Sequence, residues 1–127
     1  MQKQINAVKE FHTAFNIGYS ETPKSNLGEN KNNLRFNLMK EENEEYLEAV
    51  QNNDIVEIAD ALGDMLYILC GTIIEHGLQS KIEAVFDEIQ RSNMSKLDEN
   101  GKPIYREDGK VMKGANYFKP DFSEILG

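Results

Sequence analysis

The sequence predicts an all-α protein built on a bundle of four helices. Apolar residues recur at helical spacing in four segments, polar stretches separate those segments, and from Asn100 onward helical spacing fails. With 127 residues, of which 39% are hydrophobic, the chain is long enough for one domain with its own core. We therefore expect a single domain over residues 1–127, with a helical core at about 1–97 and a small β-hairpin or extended tail at about 98–127.

The first two predicted helices are separated by a long polar connector. Ile5, Val8, Phe11 and Phe15 share one face of helix one, and a polar stretch at 16–20 stops that pattern. The connector at 21–33 contains a proline, a glycine and many asparagines, and it has no apolar core of its own. We expect helix two to begin between residues 29 and 33 and to end near Gln51.

The last two predicted helices begin at recognisable caps. After a turn at 52–54, Asp54 is expected to cap helix three, which should end near Gly77. Such a short turn predicts that helices two and three are antiparallel. Ser80 is expected to cap helix four, from Lys81 to about residue 96. The sequence around Asp108-Gly109 is typical of a hairpin turn.

Composition excludes several classes of protein. A net charge of −8 argues against binding a nucleic-acid polymer, because phosphate neutralisation needs a basic face. The longest apolar run, residues 65–74, is too short to cross a bilayer, and the first 15 residues lack the apolar core of a signal peptide. The single cysteine, Cys70, has no intrachain partner. We expect a cytoplasmic protein without membrane contacts.

The acidic residues are segregated along the chain. Between Glu41 and Ser80 there are ten Asp and Glu residues but no Lys or Arg, whereas residues 91–127 carry a net charge of +1. A solvated helical face normally interleaves opposite charges three or four residues apart. The helical wheel places Glu41 and Glu45 within about 40° of apolar residues on helix two, with Glu42 on the same side.

Helix three carries a second acidic stripe. Glu57, Asp60 and Asp64 share an arc of about 60° beside a broad apolar face, so we expect the stripe to point into the protein. Two carboxylates about 5 Å apart repel by roughly 3 kcal/mol at an effective dielectric near 20. Raised pKa values or a solvated position could relieve this repulsion, but an all-oxygen ligand set favours a hard divalent cation such as Mg²⁺.

These acids also form a recognisable motif. Glu41-Glu42-x-x-Glu45 followed by Glu57-x-x-Asp60 resembles the EExxE and ExxD signature of the all-α nucleoside triphosphate pyrophosphohydrolases, which include MazG, dimeric dUTPase-like and phosphoribosyl-ATP pyrophosphohydrolase proteins. The apolar pattern at 60–67 is similar too. Residues 91–96 and 108–114 look like the C-terminal element of the phosphoribosyl-ATP pyrophosphohydrolase-like branch.

The resemblance implies a bundle-like MazG-type fold and Mg²⁺-dependent hydrolysis of a nucleoside triphosphate to the monophosphate and pyrophosphate, with Mn²⁺ as a possible substitute. It also implies a homodimer or homotetramer. The apolar character of helix three on several sides, including Val56, Tyr67 and Ile74, independently favours self-association. The alternative is that helix one and the C-terminal tail cover helix three within one chain. The preferred base is not encoded in any motif, so dUTP, dCTP, a damaged nucleotide and phosphoribosyl-ATP all stay open.

The resemblance further implies roles for individual residues. Metal ligands would be Glu42, Glu45, Glu57 and Asp60, with Asp64 as another ligand or a supporting group. Catalytic carboxylates would be Glu41 and Glu45, with Glu41 either an extra metal ligand or the group that orients the attacking water. Substrate-binding candidates are Arg35, Asn93, Lys96, Lys110, Lys113 and Tyr117. The alternatives are that Arg35 pairs with a nearby acid, that the lysines are ordinary surface residues, and that Tyr117 packs against the bundle.

Two other functions compete with this interpretation. A ferritin-like di-iron bundle needs Glu-x-x-His pairs, and no Glu lies three residues before His12 or His76. A non-enzymatic acidic helical module would recognise a basic partner through exposed carboxylates and would bind no metal. Thermal melting with and without excess Mg²⁺ distinguishes the second alternative from a metal site, because a ligand that binds only the folded state stabilises it.

Overall fold

The structure, a computed structural model that describes residues 1–127, confirms the all-α prediction. It contains five helices, α1 (Gln2–Ala14), α2 (Glu29–Gln51), α3 (Ile55–Glu75), α4 (Ile82–Met94) and α5 (Ser123–Leu126). The four predicted helices are all present, with ends within three residues of the expected positions. The short α5 was not predicted. None of the five helices has both the length and the apolar character to span a membrane.

The chain forms two compact units, Met1–Ser80 and Lys81–Gly127. The first unit contains α1, α2 and α3, whereas α4 groups with the C-terminal tail rather than with the other long helices. The organisation of residues 1–127 as one domain stays a prediction.

In the first unit, α2 and α3 form an antiparallel pair. As predicted, Asp54 caps α3, because its carboxylate accepts hydrogen bonds from the backbone N–H groups of Val56 and Glu57, both at 3.1 Å. Asn53 turns the chain between the helices with a φ of 49°, a conformation that Asn tolerates better than most residues. This short turn sets the two acidic segments of the sequence side by side.

Helix α1 packs against α3 and completes the core of the first unit. The Phe11 ring meets the Tyr67 ring edge to face, with the centroids 5.6 Å apart. The buried apolar residues are Ile5, Val8, Ala49, Ala61, Cys70, Ile73 and Ile74. They concentrate in α1 and the C-terminal half of α3, so the N-terminal half of α3 is left less covered.

Much of the apolar surface of α3 is exposed in the single chain. Ile55 and Val56 are 73% and 71% exposed, and Leu62, Leu66 and Leu69 are also exposed. Only α1 and α2 pack on α3 within the first unit, and two helices cannot cover a helix that is apolar on most sides. The single chain therefore presents a large apolar surface on α3.

In the second unit, the tail folds back on the end of α4. The Ser92 hydroxyl, which is buried, donates to the Phe118 carbonyl at 2.9 Å, and the Arg91 guanidinium lies 4.3 Å from the centre of the Phe118 ring. The Gly114 N–H donates to the Lys96 carbonyl at 2.8 Å. A Cβ atom on Gly114 would lie 2.4 Å from the Leu97 carbonyl oxygen, so this close approach needs glycine.

Two sequence expectations about the second unit are wrong. No β-hairpin forms, since Tyr105 and Val111 make only a single antiparallel bridge, and residues 99–113 are all exposed. Two strands without a packed face are marginal by themselves, and residues 98–127 contain turns, one isolated bridge and the short α5 instead. Ser80 does not cap α4 either, because the N-cap is Lys81, without a side-chain hydrogen bond to the helix.

Candidate functional site

Three carboxylates meet where α2 faces α3. Glu42, Glu45 and Asp64 each contribute one carboxylate oxygen to a group whose atoms all lie within 4.8 Å of one another. Glu42 and Glu45 are three residues apart on α2 and so share a face, and the antiparallel packing brings Asp64 of α3 opposite them. We call Glu42, Glu45 and Asp64 the acidic cluster.

The acidic cluster strongly perturbs Glu42. Burial, a hydrogen bond with Glu45 and the negative charges of Glu45, Asp64 and Asp60 raise the pKa of Glu42 to about 7. The Glu42 Oε2 atom is buried and has no hydrogen-bond partner. Such an oxygen needs a proton or a cation, because a buried polar atom without a partner is costly.

The donor set fits a hard divalent cation. Three carboxylates supply only oxygen ligands, which Mg²⁺ and Mn²⁺ prefer, and no sulfur or imidazole ligand is among them. The buried Glu42 Oε2 would gain a partner in a bound cation. Glu42, Glu45 and Asp64 are therefore the residues of this chain best placed to hold the metal.

A cleft of about 410 Å³ opens beside the acidic cluster. Two buried alanines, Ala49 of α2 and Ala61 of α3, lie at its floor, where their small side chains leave room between the helices. Its other lining residues are polar and mostly acidic, namely Glu45, Glu48, Asn52, Asp54, Glu57 and Asp60. Glu45 belongs to both the cleft and the cluster, so it connects the candidate metal site to a space large enough for part of a ligand.

The predicted acidic residues are thus brought together only in part. Glu57 and Asp60 line the cleft, whereas Asp64 joins the acidic cluster. Glu57, Asp60 and Asp64 are all exposed in the single chain, so the expectation that this stripe points into the protein is wrong, because α3 is covered on too few sides. Glu41 is exposed and lies outside the acidic cluster, and its catalytic role stays a prediction.

Arg35 makes the pairing that was the alternative to phosphate binding. Its Nε lies 3.1 Å from Oε2 of Glu75, while Oε1 of Glu75 lies 2.7 Å from Nζ of Lys31. The Glu75 and Arg35 side chains are only 2% and 9% exposed. We call Lys31, Arg35 and Glu75 the ion-pair cluster. A role of Arg35 in binding substrate stays a prediction.

Sequence reasoning gave Glu75 no role. The available signal was its position in the sequence: residues 65–74, which follow Asp64, carry no charge, and Glu75 is the first charged residue after them. It lies eleven residues after Asp64. Eleven residues are close to three helical turns, so Glu75 and Asp64 lie on the same side of α3. The partners, Lys31 and Arg35, are 40 or more residues away in the sequence, which is why no local pattern pointed to them.

The candidate phosphate ligands lie in the second unit. Lys96 neighbours Gly114 through a backbone hydrogen bond, and the Lys113 ammonium lies 4.9 Å from the centre of the Tyr117 ring. The Lys96 N–H also donates to the Asn93 carbonyl at 3.1 Å. The tail thus gathers Asn93, Lys96, Lys113 and Tyr117 near the end of α4. Lys110 lies apart from them, beside the isolated bridge, and all five substrate roles stay predictions.

Comparison with known proteins places most of the chain in one family. Residues 8–93 match the family model described as phosphoribosyl-ATP pyrophosphohydrolase, a match that includes all of α2 and α3. The uncharacterized protein L479 of Acanthamoeba polyphaga mimivirus is 34% identical over 67 residues. That alignment covers 53% of this chain and 27% of the viral protein, so the chain spans about a quarter of this relative's length.

Proposed function

Because the chain belongs to the phosphoribosyl-ATP pyrophosphohydrolase family, we propose that it hydrolyses a nucleoside triphosphate to the monophosphate and pyrophosphate. Membership of this family implies a nucleotide pyrophosphohydrolase. Mg²⁺ is the proposed cofactor, with Mn²⁺ as a substitute. The observation that carries this proposal is the acidic cluster, in which carboxylates from two helices converge beside an acidic cleft. A polyanionic substrate approaches such a surface only when cations neutralise it.

Each group of residues has a proposed task. Glu42, Glu45 and Asp64 hold the metal, and the cleft residues Glu57 and Asp60 complete its surroundings. When bound, Mg²⁺ neutralises phosphate charge and favours ionisation of water. Water attacks a phosphorus atom, the phosphoanhydride bond to the pyrophosphate group breaks, and a carboxylate, Glu41 or Glu45, accepts the proton of the water.

The basic residues of the tail are proposed to bind the phosphates. Lys96 and Lys113 are the strongest candidates, because the tail already brings their segments together. A lysine ammonium stabilises negative charge on a departing pyrophosphate. Asn93, Lys110, Tyr117 and Arg35 are further candidates for contacts with the substrate.

The decisive experiment is an assay of pyrophosphate release. We expect release from at least one member of a panel of dUTP, dCTP, damaged nucleotides and phosphoribosyl-ATP when Mg²⁺ or Mn²⁺ is present, and none after chelation with EDTA. Release of single phosphates from every substrate would contradict the proposed bond cleavage. No release from any substrate would favour the non-enzymatic acidic module.

Metal binding should depend on pH near neutrality. Because the pKa of Glu42 is about 7, a cation must displace its proton, and we expect the affinity for Mg²⁺ to fall by about tenfold between pH 8 and pH 6. Titration of the nucleotide-free protein at both pH values measures this effect. Glu42→Gln should bind weakly at both pH values, and an equally steep pH dependence in this variant would assign the titration to another group.

The raised pKa of Glu42 should give the stability of the metal-free protein the opposite pH dependence from that of metal affinity. A carboxyl group whose pKa is raised by folding binds its proton more tightly in the folded state, so the contribution of Glu42 to stability is greatest below its unfolded pKa of about 4.5. Stability should then decline as the pH rises from about 4.5 to about 7, and Mg²⁺ should restore it. Urea unfolding across this range, with EDTA or with Mg²⁺, measures both effects.

The active species is proposed to be a homodimer or homotetramer. Phe36 of α2 is 68% exposed, and the apolar residues of α3 described above are exposed too. A second copy of the chain would bury these side chains. We expect light scattering to give a mass of at least twice 14.5 kDa at micromolar concentration. Val56→Lys should shift the mass toward the monomer, whereas Glu44→Lys, at another exposed site on a polar part of α2, should not. An active wild-type monomer would contradict this proposal.

A further inference from the structure

The interface between α2 and α3 contains two charged clusters at different positions along the helices. The ion-pair cluster combines both signs of charge, whereas the acidic cluster contains carboxylates alone. Lys31, Arg35, Glu42 and Glu45 follow one another on α2 with spacings of four, seven and three residues, which keeps them on one helical face. Opposite them on α3, Glu75 meets the two cations and Asp64 meets the two glutamates. The rise of an α-helix puts the Asp64 and Glu75 levels roughly 16 Å apart.

Arg35 binds α3 at three places. Besides the Glu75 carboxylate, its guanidinium donates to the Ile68 carbonyl at 2.7 Å and to the Thr72 hydroxyl at 3.0 Å. The Thr72 hydroxyl in turn donates to the Ile68 carbonyl at 3.0 Å. These contacts extend over about two turns of α3, and the geometry of the guanidinium is fixed, so a shift of α2 by one turn would break all of them.

The chain also leaves space for this arrangement. A Cβ atom on Gly71 would lie 2.6 Å from Nη2 of Arg35 and 2.9 Å from Nε2 of His12. The His12 side chain is buried, with its Nδ1 atom 2.9 Å from the Gly18 carbonyl, so it has little freedom to move away. The absence of a side chain at Gly71 is therefore what allows Arg35 to lie across α3.

We propose that Arg35 is a positioning residue: held by Glu75 and accommodated by Gly71, it fixes the register of α2 against α3 and thereby keeps Glu42 and Glu45 opposite Asp64. This inference rests on the proposed metal-dependent function. The carboxylates of the acidic cluster repel one another, so they do not stabilise this register of α2 against α3 by themselves. Arg35 and Glu75 attract each other, and their side chains are buried where solvent screens the attraction least.

The test is a titration of the nucleotide-free protein with Mn²⁺ alone, in which electron paramagnetic resonance counts the unbound metal. We expect Glu75→Gln and Gly71→Ala to weaken Mn²⁺ binding by about tenfold or more, the range found when groups that orient metal ligands are lost. A matched control is Ile5→Ala, which removes a fully buried side chain from α1 and lowers the melting temperature without touching the register of α2 and α3. It should keep the wild-type affinity for Mn²⁺.

A paired variant, Arg35→Leu with Glu75→Leu, separates positioning from stability. Apolar side chains of similar volume often replace a buried ion pair without loss of stability, so its melting temperature should stay near the wild-type value while Mn²⁺ binding is still weakened. Because no nucleotide is present, loss of a phosphate contact by Arg35 cannot produce this result. Wild-type affinity in the folded paired variant would overturn the inference and leave the proposed function intact. A wild type that binds no Mn²⁺ would overturn the inference together with the metal role of the acidic cluster.

Discussion

Replacement of Glu45 by glutamine is expected to reduce pyrophosphate release by more than about 100-fold, because loss of even a group that only orients a metal ligand costs 10-fold to 100-fold. Glu45 is the residue shared by the acidic cluster and the cleft, so it is proposed to contact both metal and reacting water. Glutamine keeps the volume of the side chain but removes its charge. Steady-state rates at saturating metal measure the effect.

The loss of turnover in this variant should not be accompanied by a loss of stability. Removal of one charge relieves repulsion with Glu42, so the metal-free Glu45→Gln protein should melt no lower than wild type, and Mg²⁺ should raise its melting temperature less. Glu44→Gln is the matched control, since Glu44 is on the same helix but belongs to neither the acidic cluster nor the cleft. Wild-type turnover in Glu45→Gln would remove this residue from the mechanism.

Replacement of Gly77 by alanine is expected to destabilise the fold by about 3 kcal/mol or more. Gly77 follows α3 with a φ of 69°, where a residue other than glycine costs roughly 1–2 kcal/mol. Its Cβ atom would also lie 1.9 Å from the Thr22 carbonyl oxygen. The connector could not retreat cheaply, because the Ser20 and Lys24 N–H groups donate to the carbonyls of Ile74 and His76 at 3.0 and 2.8 Å.

Gly18→Ala separates the two contributions. Gly18 also has a positive φ, of 86°, but nothing lies within 4 Å of the position of its Cβ atom. This control should cost only about 1–2 kcal/mol, from backbone conformation alone. Urea unfolding of both variants gives the two free energies. Equal losses would show that the connector adapts to a side chain at Gly77, and that its contact with the end of α3 is not rigid.

The parts of the fold that sequence could predict depend on local chemistry. The Asp54 cap, the short turn before α3 and the helical spacing of apolar residues all act within a few positions of one another, and each was confirmed. The hairpin was wrong because its turn signal is local, whereas a stable pair of strands also needs a surface to pack on, which residues 99–113 do not have.

The candidate site was less predictable for the same reason. Spacing put Glu42 and Glu45 on one face and Asp64 on another helix, but only the register of α2 against α3 determines which carboxylates meet. That register depends on contacts between residues more than 30 positions apart, such as Arg35 with Ile68 and Thr72. The exposure of Glu57, Asp60 and Asp64 depends on how many neighbours cover α3, which a helical wheel does not contain.

The ion-pair cluster and the acidic cluster should respond differently to the salt concentration. Lys31, Arg35 and Glu75 neutralise one another, and the Arg35 and Glu75 side chains are less than 10% exposed. Dissolved ions should therefore change the interaction energy of this cluster little. The acidic cluster consists of three carboxylates and contains no basic side chain. At 0.1 M salt, where charges are screened over about 10 Å, monovalent ions can relieve part of its repulsion but cannot bridge three carboxylates as a divalent ion does. We therefore expect salt to replace the proposed Mg²⁺ only in part in stabilising the fold, and not to replace it in the proposed catalysis.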